Sequence, residues 1–164
     1  MGTSTLISPA EYLHKSYEGP EPDFVDGEII PRAMPNSFHS RAVRKVMYTL
    51  FRQAPDALFP EPELRLLVEG GRGRVADLAI FDHEPAQAVP EHMPLAVVEV
   101  LSPNDIMAEQ LSKFSDYASA GIPHIWLVDP MDKRFWVYRD ESLIATPRLE
   151  LPEYSVVITA TDVF

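Results

Sequence analysis

The sequence predicts an α/β fold built around a mixed β-sheet. Two apolar runs typical of buried strands, at 95–101 and 124–130, enclose a stretch with helical spacing at 105–120. A strand, helix, strand order requires a parallel pair joined by a crossover. The segments "ELRLLVE" (63–69) and "VADLAIF" (75–81) flank the glycine-rich turn "GGRGR", which predicts two tightly joined strands.

Capping and turn signals place the other elements. Ser8 as the cap, Pro9 at the first helical position and Glu11 at the third predict a short first helix. "DFVDGEIIPRA" alternates around an Asp-Gly turn and predicts a hairpin. From 39 to 52, apolar residues recur at helical spacing opposite a basic stripe. "RFWVYRD" is expected to pair back onto the strand at 124–130 after the turn "DPMD".

Length and composition predict one domain over residues 1–164. The chain is 46% apolar, which is enough to build one core, and it has no cysteine, which excludes disulfides and Cys-based zinc sites. No apolar run approaches the roughly 18 residues of a membrane span. The start of the chain shows no targeting signal. We therefore expect a soluble cytoplasmic protein without a membrane partner.

The charge is unevenly distributed along the chain. The net charge of −11 argues against a protein that coats nucleic acid by overall attraction. The segment 32–74 nevertheless carries eight basic and four acidic residues, a local charge of +4 that leaves −15 for the rest of the chain. This segment predicts either a local surface for a polyanion or an ordinary mixed solvated face.

Two carboxylates stand singly in otherwise apolar strands. Glu99 lies in "AVVEVLSP" and Asp77 in "VADLAIF". Burying such charges is costly unless a cation or hydrogen-bond donors satisfy them. A shared Mg²⁺, which prefers oxygen ligands, would satisfy both. The alternative is that Asp77 caps a turn and Glu99 pairs with an arginine such as Arg74.

The carboxylate pair also matches a family pattern. An acid in one strand, Glu-x-Lys in the next and a following βαβ unit resemble the PD-(D/E)XK nuclease superfamily. Ala76-Asp77 stands where Pro-Asp is usual, and Glu99-Val100-Leu101 stands where Glu-x-Lys is usual, so the strand lysine is missing. The Uma2-like restriction endonucleases, the DUF820 group, share this departure. Blocks similar to theirs are "SPAEYL", "DFVDGEII", "FHSRAVRKVMYTL", "VADLAIF", "LAVVEVLSPND", "KFSDYASAGIPHIWLVDP" and "LPEYSVVITATDVF".

The resemblance implies a restriction-endonuclease-like mixed sheet flanked by helices, in the order αβββαβ, and a metal-dependent endonuclease. Asp77, Glu99 and the Val100 carbonyl would hold Mg²⁺, with Mn²⁺ as a substitute. Lys113, from the helix after the Glu strand, would replace the missing lysine and orient water or stabilise the transition state. The alternative for Lys113 is an exposed pair with Glu109 at i, i+4.

The resemblance extends to residues outside this core set. Glu28 matches an acid of the N-terminal block and is expected to be a further catalytic residue or ligand, although a surface acid beside a turn is the common alternative. His39 matches the block before the basic helix, where it is expected to contact substrate or orient Glu28, although a helix cap or a solvent contact is the common alternative. The expected substrate-binding residues are His39, Arg41, Arg44, Lys45 and Arg74. For neighbouring residues we expect simpler roles, with Tyr117 packing its helix and Ser102 with Asn104 capping it.

Three functions remain open from the sequence. The first is a nuclease acting on DNA rather than RNA. The second is a non-catalytic binding module that keeps the nuclease fold, and the third is a metal-dependent hydrolase of a small phosphoester. Nuclease folds of this size often need two copies to cut two strands, so we also expect a homodimer.

Overall fold

The structure is a computed structural model that describes residues 6–164. Residues 1–5, which open the stretch interpreted above as lacking a targeting signal, lie outside the described part. The main sheet has eight strands: β1 Asp23–Val25, β2 Glu28–Ile30, β3 Phe59–Leu67, β4 Gly73–Phe81, β5 Ala96–Val100, β6 His124–Asp129, β7 Arg134–Arg139 and β8 Ser142–Thr146. A separate antiparallel pair is formed by β9 Arg148–Leu151 and β10 Val156–Thr159. The helices are α1 Pro9–His14, α2 Ser37–Gln53, α3 Met107–Ser119 and α4 Ala160–Val163.

The mixed sheet predicted from the sequence is confirmed. Strands β5 and β6 are parallel and are joined through α3, whereas the other paired strands of the main sheet are antiparallel. The capping box of Ser8 and Glu11 starts α1 as expected. The sequence analysis gave no elements after residue 140, where β8 to β10 and α4 are found.

Strand β4 is the centre of the sheet. All nine of its residues are buried. Strand β3 covers one edge from Phe81 to Gly73, so β1 and β5 must share the other edge. Strand β1 reaches that edge at Gly73, and β5 pairs with it from Leu78 to Ile80. Residues 74–77, here called the β4 gap, therefore have no strand partner on this edge among residues 6–164.

Hydrophobic clusters cover both faces of the sheet. One face packs on α2, α4 and the β9–β10 pair, and its core includes Val46, Leu50, Val98 and Ile158. The other face packs on α3 through Phe114, which clusters with residues of β4 and β5. The β4 gap lies between these layers, where α2 and α3 both approach the sheet. No helix among residues 6–164 has the length and apolar character needed to cross a membrane.

The start of β4 requires a glycine. A Cβ atom added at Gly73 would lie 2.2 Å from Tyr12 Cε1. Tyr12 cannot easily move away, because its ring stacks on Phe24 at 5.1 Å and its hydroxyl donates to the Pro22 carbonyl at 2.8 Å. This contact fixes α1 against the β1 end of the β4 gap.

Gly73→Ala is therefore expected to lower the free energy of unfolding by about 1–3 kcal/mol, the usual cost of overpacking. Urea unfolding followed by circular dichroism measures this. The same substitution in a Tyr12→Leu background should cost clearly less, because the clashing ring is gone. An equal cost in both backgrounds would show that the Tyr12 contact does not set the requirement.

Candidate active site

Side chains satisfy the backbone of the β4 gap in place of a strand. The Val75 N–H donates to Asp23 Oδ1 at 2.8 Å, and the Val75 carbonyl accepts from Lys113 Nζ at 2.7 Å. On the facing strand, the Val100 N–H donates to Asp77 Oδ2 at 2.7 Å. Buried backbone groups must be paired. The chain therefore places ionisable side chains where the strand pairing stops.

Asp77 lies at the end of the β4–β5 pairing and is bound by two cationic groups. The Arg32 guanidinium donates to Asp77 Oδ1, and His39 Nε2 lies 3.0 Å from Oδ2. Arg32 also donates to Glu63 Oε2 at 2.6 Å. Glu63 stands opposite Asp77 on β3 with a φ of 53°, in the left-handed region that non-glycine residues rarely adopt. Asp77 does not cap a turn, so that alternative is wrong.

Glu99 is held by two residues one turn apart on α3. Its Oε2 accepts from Lys113 Nζ at 2.9 Å, and its Oε1 accepts from the Tyr117 hydroxyl at 2.8 Å. Glu99, Lys113 and Tyr117 are all buried. Two alternatives considered from the sequence, a pair of Glu99 with Arg74 and an exposed pair of Lys113 with Glu109, are therefore wrong.

The pKa values of the two carboxyl groups are shifted in opposite directions. Burial would raise the pKa of Asp77, but the hydrogen bond from His39 and the charge of Arg32 outweigh burial and lower this pKa. Burial raises the pKa of Glu99 to about 7, although the Lys113 charge opposes it. Burial would lower the pKa of His39, but the hydrogen bond and charge of Asp77 raise it. Neighbouring acids with separated pKa values are typical of sites that move protons.

These residues line an open cleft of about 460 Å³. Of the residues predicted from the sequence, the structure brings to the cleft His39, Arg74, Asp77, Glu99, Val100 and Lys113. The remaining walls come from β1, the end of β2 and the segment after it, the loop before α3, and α3 itself, and they include Asp23 and Asn104. The volume lies within the range of about 300–1,000 Å³ common for ligand sites.

Comparison with known proteins identifies the family and the fold of the chain. Residues 9–160 match the Uma2 family, described as "Putative restriction endonuclease". The chain belongs to the Uma2 family. Its fold is similar to the crystal structure of a "putative nuclease belonging to DUF820" from Anabaena variabilis ATCC 29413, with a TM-score of 0.84 and 20% sequence identity. That similarity covers 96% of this chain and 97% of the other chain.

A second solved structure is much less similar. The cryo-EM structure of a DrdV–DNA complex has a TM-score of 0.38 and 12% identity, over 66% of this chain and 12% of that chain. A similarity at this level does not establish a shared fold. No curated protein shows significant similarity to this chain.

Two of the four arginine and lysine residues expected to bind substrate have other partners in this Uma2 protein. Arg74 is buried and pairs with Asp23 at 3.1 Å and Asp116 at 2.7 Å, so its charge is already neutralised. Lys45 donates to the Phe164 carbonyl at 3.3 Å. Arg41 and Arg44 are exposed on α2 without an ion-pair partner among residues 6–164. Of the predicted basic set, these two arginines are available to a substrate.

Glu28 does not line the cleft. It is exposed on β2 opposite Val25, at the tip of the β1–β2 hairpin. Residues paired across a hairpin share a face. Glu28 therefore points to the same side as Val25, which does line the cleft, but it lies beyond the rim. The exposed position matches the alternative of a surface acid beside a turn.

The structure also brings in residues that the sequence analysis missed. Arg32 was counted only as a local charge, although it binds Asp77. Tyr117 was interpreted as helix packing, although its hydroxyl binds Glu99. Its position four residues after Lys113, on the same helix face, was the available signal. Ser102 and Asn104 do not cap α3, since the Ser102 N–H binds Asp105 Oδ2 and the N-cap is Ile106.

The carboxylate oxygens of the cleft can hold a hard divalent cation if the Arg32 guanidinium gives up its hydrogen bond to Asp77 Oδ1. Each Glu99 oxygen accepts one hydrogen bond and keeps a free lone pair, whereas Arg32 competes for Asp77 Oδ1. In the part of the chain that the structure describes, no three His, Cys, Asp or Glu side chains form a group that could hold a metal ion. The fit is thus a two-carboxylate site completed by a backbone carbonyl, water or phosphate, as is common for Mg²⁺.

The paired cations change one argument made from the sequence. We inferred a shared metal because two buried carboxylates need positive charge. Lys113, Arg32 and His39 already supply hydrogen bonds and charge to both carboxylates. The cost of burial alone therefore does not require a metal, and the metal prediction depends on the family and on the donor chemistry.

Glu99 should make stability depend on pH in the metal-free protein. Its folded pKa of about 7 lies above the ordinary value of 4.5, so between these values the folded protein keeps a proton that the unfolded chain has lost. The free energy of unfolding should therefore fall as pH rises through this range. Between pH 4.5 and 7, the free energy of unfolding of the wild type should fall by up to about 3 kcal/mol relative to that of Glu99→Gln.

Urea unfolding in EDTA at several pH values between 4.5 and 7 measures this loss. Glu109→Gln, an exposed acid on the same helix, is the matched control and should show the pH dependence of the wild type. A constant difference between wild type and Glu99→Gln across this range would contradict a raised pKa for Glu99.

Proposed function

We propose that this chain is a metal-dependent nuclease that hydrolyses phosphodiester bonds of DNA in the cleft beside the β4 gap. The observation that carries the proposal is the convergence of Asp77, Glu99 and Lys113 on one buried edge of the sheet. These are the residues that the family resemblance selects. Membership in the Uma2 family and the nuclease fold of the neighbour from Anabaena variabilis support the same conclusion.

The chain supplies a position and a charge for each part of the reaction. A divalent ion held by Asp77 and Glu99 would activate water and neutralise charge on the phosphate. Lys113 fixes Glu99 and brings an ammonium group to the cleft, where it stabilises charge on a non-bridging phosphate oxygen. As a metal ligand held by Lys113 and Tyr117, Glu99 would not serve as the base, so the proton of the attacking water would pass to solvent. Water then bonds to phosphorus as the bond to the leaving oxygen breaks.

One observation favours a second candidate function. Arg32 and Lys113 neutralise both carboxylates without a metal, as expected of a binding module that keeps a nuclease fold without cutting. The two functions differ in one measurable property, since only the nuclease loses activity when Asp77 loses its charge.

Asp77→Asn is expected to reduce cleavage by about 100-fold or more, because it removes a ligand and its charge from the cleft. The assay follows supercoiled, linear and single-stranded DNA, and RNA, with Mg²⁺, Mn²⁺ or EDTA. Asp82→Asn is the matched control, because Asp82 is an exposed acid just after the same strand. Equal activity of wild type and Asp77→Asn would reject the nuclease. Activity confined to small phosphoesters would instead favour a metal-dependent hydrolase of a small phosphoester.

Metal binding gives a separate prediction that does not depend on activity. Asp77→Asn and Glu99→Gln should each weaken Mg²⁺ or Mn²⁺ binding in isothermal titration calorimetry. Arg32→Gln should bind the ion at least as tightly as the wild type, because its guanidinium competes for Asp77 Oδ1. If Arg32→Gln lost metal binding as Asp77→Asn does, Arg32 would support the site rather than compete for it.

A further inference from the structure

A second cavity opens directly beside the cleft. This apolar pocket has a volume of about 500 Å³ and lies along α2, with walls that include Val43, Met47, Tyr48 and Phe51. His39 and Asp77 line both the pocket and the cleft. The pocket and the cleft therefore adjoin at these two residues.

Aromatic rings and arginines surround the mouth of the pocket. Tyr48 is 65% exposed and Phe51 is 46% exposed. The Arg52 guanidinium lies 5.9 Å from the centre of the Tyr48 ring, and Arg44 lines the pocket itself. Flat rings with neighbouring guanidinium groups are the surface on which unpaired nucleobases stack.

The charges on α2 favour a nucleic acid strand over a second copy of this chain. A two-fold contact through this face would bring Arg41 and Arg44 of both copies, which have no ion-pair partner among residues 6–164, into one interface. A polyanion meets these arginines favourably. An aliphatic ligand would fill the pocket but would leave both arginines without a role.

We propose that the apolar pocket binds one unpaired nucleobase of the strand whose phosphate lies in the cleft. This inference rests on the proposed nuclease function and deepens it, because it names the substrate class: single-stranded nucleic acid, or a strand with unpaired bases at the site of cleavage. Duplex substrates bind less tightly, because a base must first leave its stack to reach the pocket.

The test compares two strands that differ only in their bases. Fluorescence anisotropy in EDTA measures the Kd for an oligothymidine of about 12 nucleotides, a length within common single-strand site sizes. The second probe is an abasic strand with the same number of phosphates. Wild type should bind the normal strand about 5- to 100-fold more tightly than the abasic strand, as expected for base stacking.

Variants assign this preference to the pocket. Tyr48→Ala and Phe51→Ala should lose most of the preference for the normal strand while binding the abasic strand unchanged, and Tyr48→Phe should keep it. Because Tyr48 is largely exposed, its substitution does not threaten the fold. Ile144→Ala, a 47% exposed apolar residue on the opposite edge of the sheet, is the control.

Three results would overturn the inference. One is equal affinity of the wild type for both strands, and another is an equal loss on both strands in Tyr48→Ala. The third is a wild-type dimer that light scattering shows to become a monomer in Tyr48→Ala, since a second copy then covers the pocket. Cleavage that depends on Asp77 without any base preference would reject this inference alone. Base preference without cleavage would reject the nuclease alone.

Discussion

The structure depends on one interruption in strand pairing. Strands β1 and β5 share one edge of β4 and leave residues 74–77 without a strand between them. A buried edge of this kind is costly unless other groups satisfy its amides and carbonyls. Asp23, Lys113 and Asp77 form the hydrogen bonds that a strand would otherwise supply. The side chains that build the candidate active site therefore also complete the sheet.

This dual role explains why so many charges are buried in one small region. Arg32 and Lys113 each bind a second acceptor besides their main partner, Arg32 through Glu63 and Lys113 through the Val75 carbonyl. Removing one member would leave a buried charge unpaired, which costs about 3–5 kcal/mol. The same network gives the two acids different pKa values. The hydrogen bond from His39 and the charge of Arg32 lower the pKa of Asp77, whereas burial raises the pKa of Glu99 despite the charge of Lys113.

Sequence patterns predicted the elements whose signals are local. The capping box before α1, the hairpin around the Asp-Gly turn and the parallel β5–β6 pair follow from residues close in the chain. Strands β9 and β10 were missed because each has only four residues, which is too short a run for its alternation to stand out in the sequence. For β8, three of five residues are exposed, so its pattern resembles a loop.

The site was predictable in its acids and in Lys113, but not in its partners. Asp77 and Glu99 stand out because they interrupt apolar strands, and Lys113 follows from the family pattern. Arg32 lies 45 residues from Asp77 in the chain, and Arg74 lies 42 residues from Asp116. Among several arginines of equal local character, only the folded topology decides which one reaches a carboxylate and which one stays exposed. The basic stripe of α2 was thus recognised as a surface, but Lys45 and Arg52 of this stripe have partners within the chain.

The ion pairs reduce the positive surface to a few groups and so limit what attraction can do. Five of the eight basic residues at 32–74 pair with carboxylates, and Lys45 binds a carbonyl, which leaves Arg41 and Arg44 on an acidic protein. A protein that makes fewer contacts to phosphates binds nucleic acid more weakly, and its affinity depends less on the salt concentration. The proposed strand would therefore gain little from phosphate contacts with this surface. Its recognition would then depend on contacts that do not use charge, which the uncovered aromatic residues of α2, close to His39 and Asp77, are in position to make.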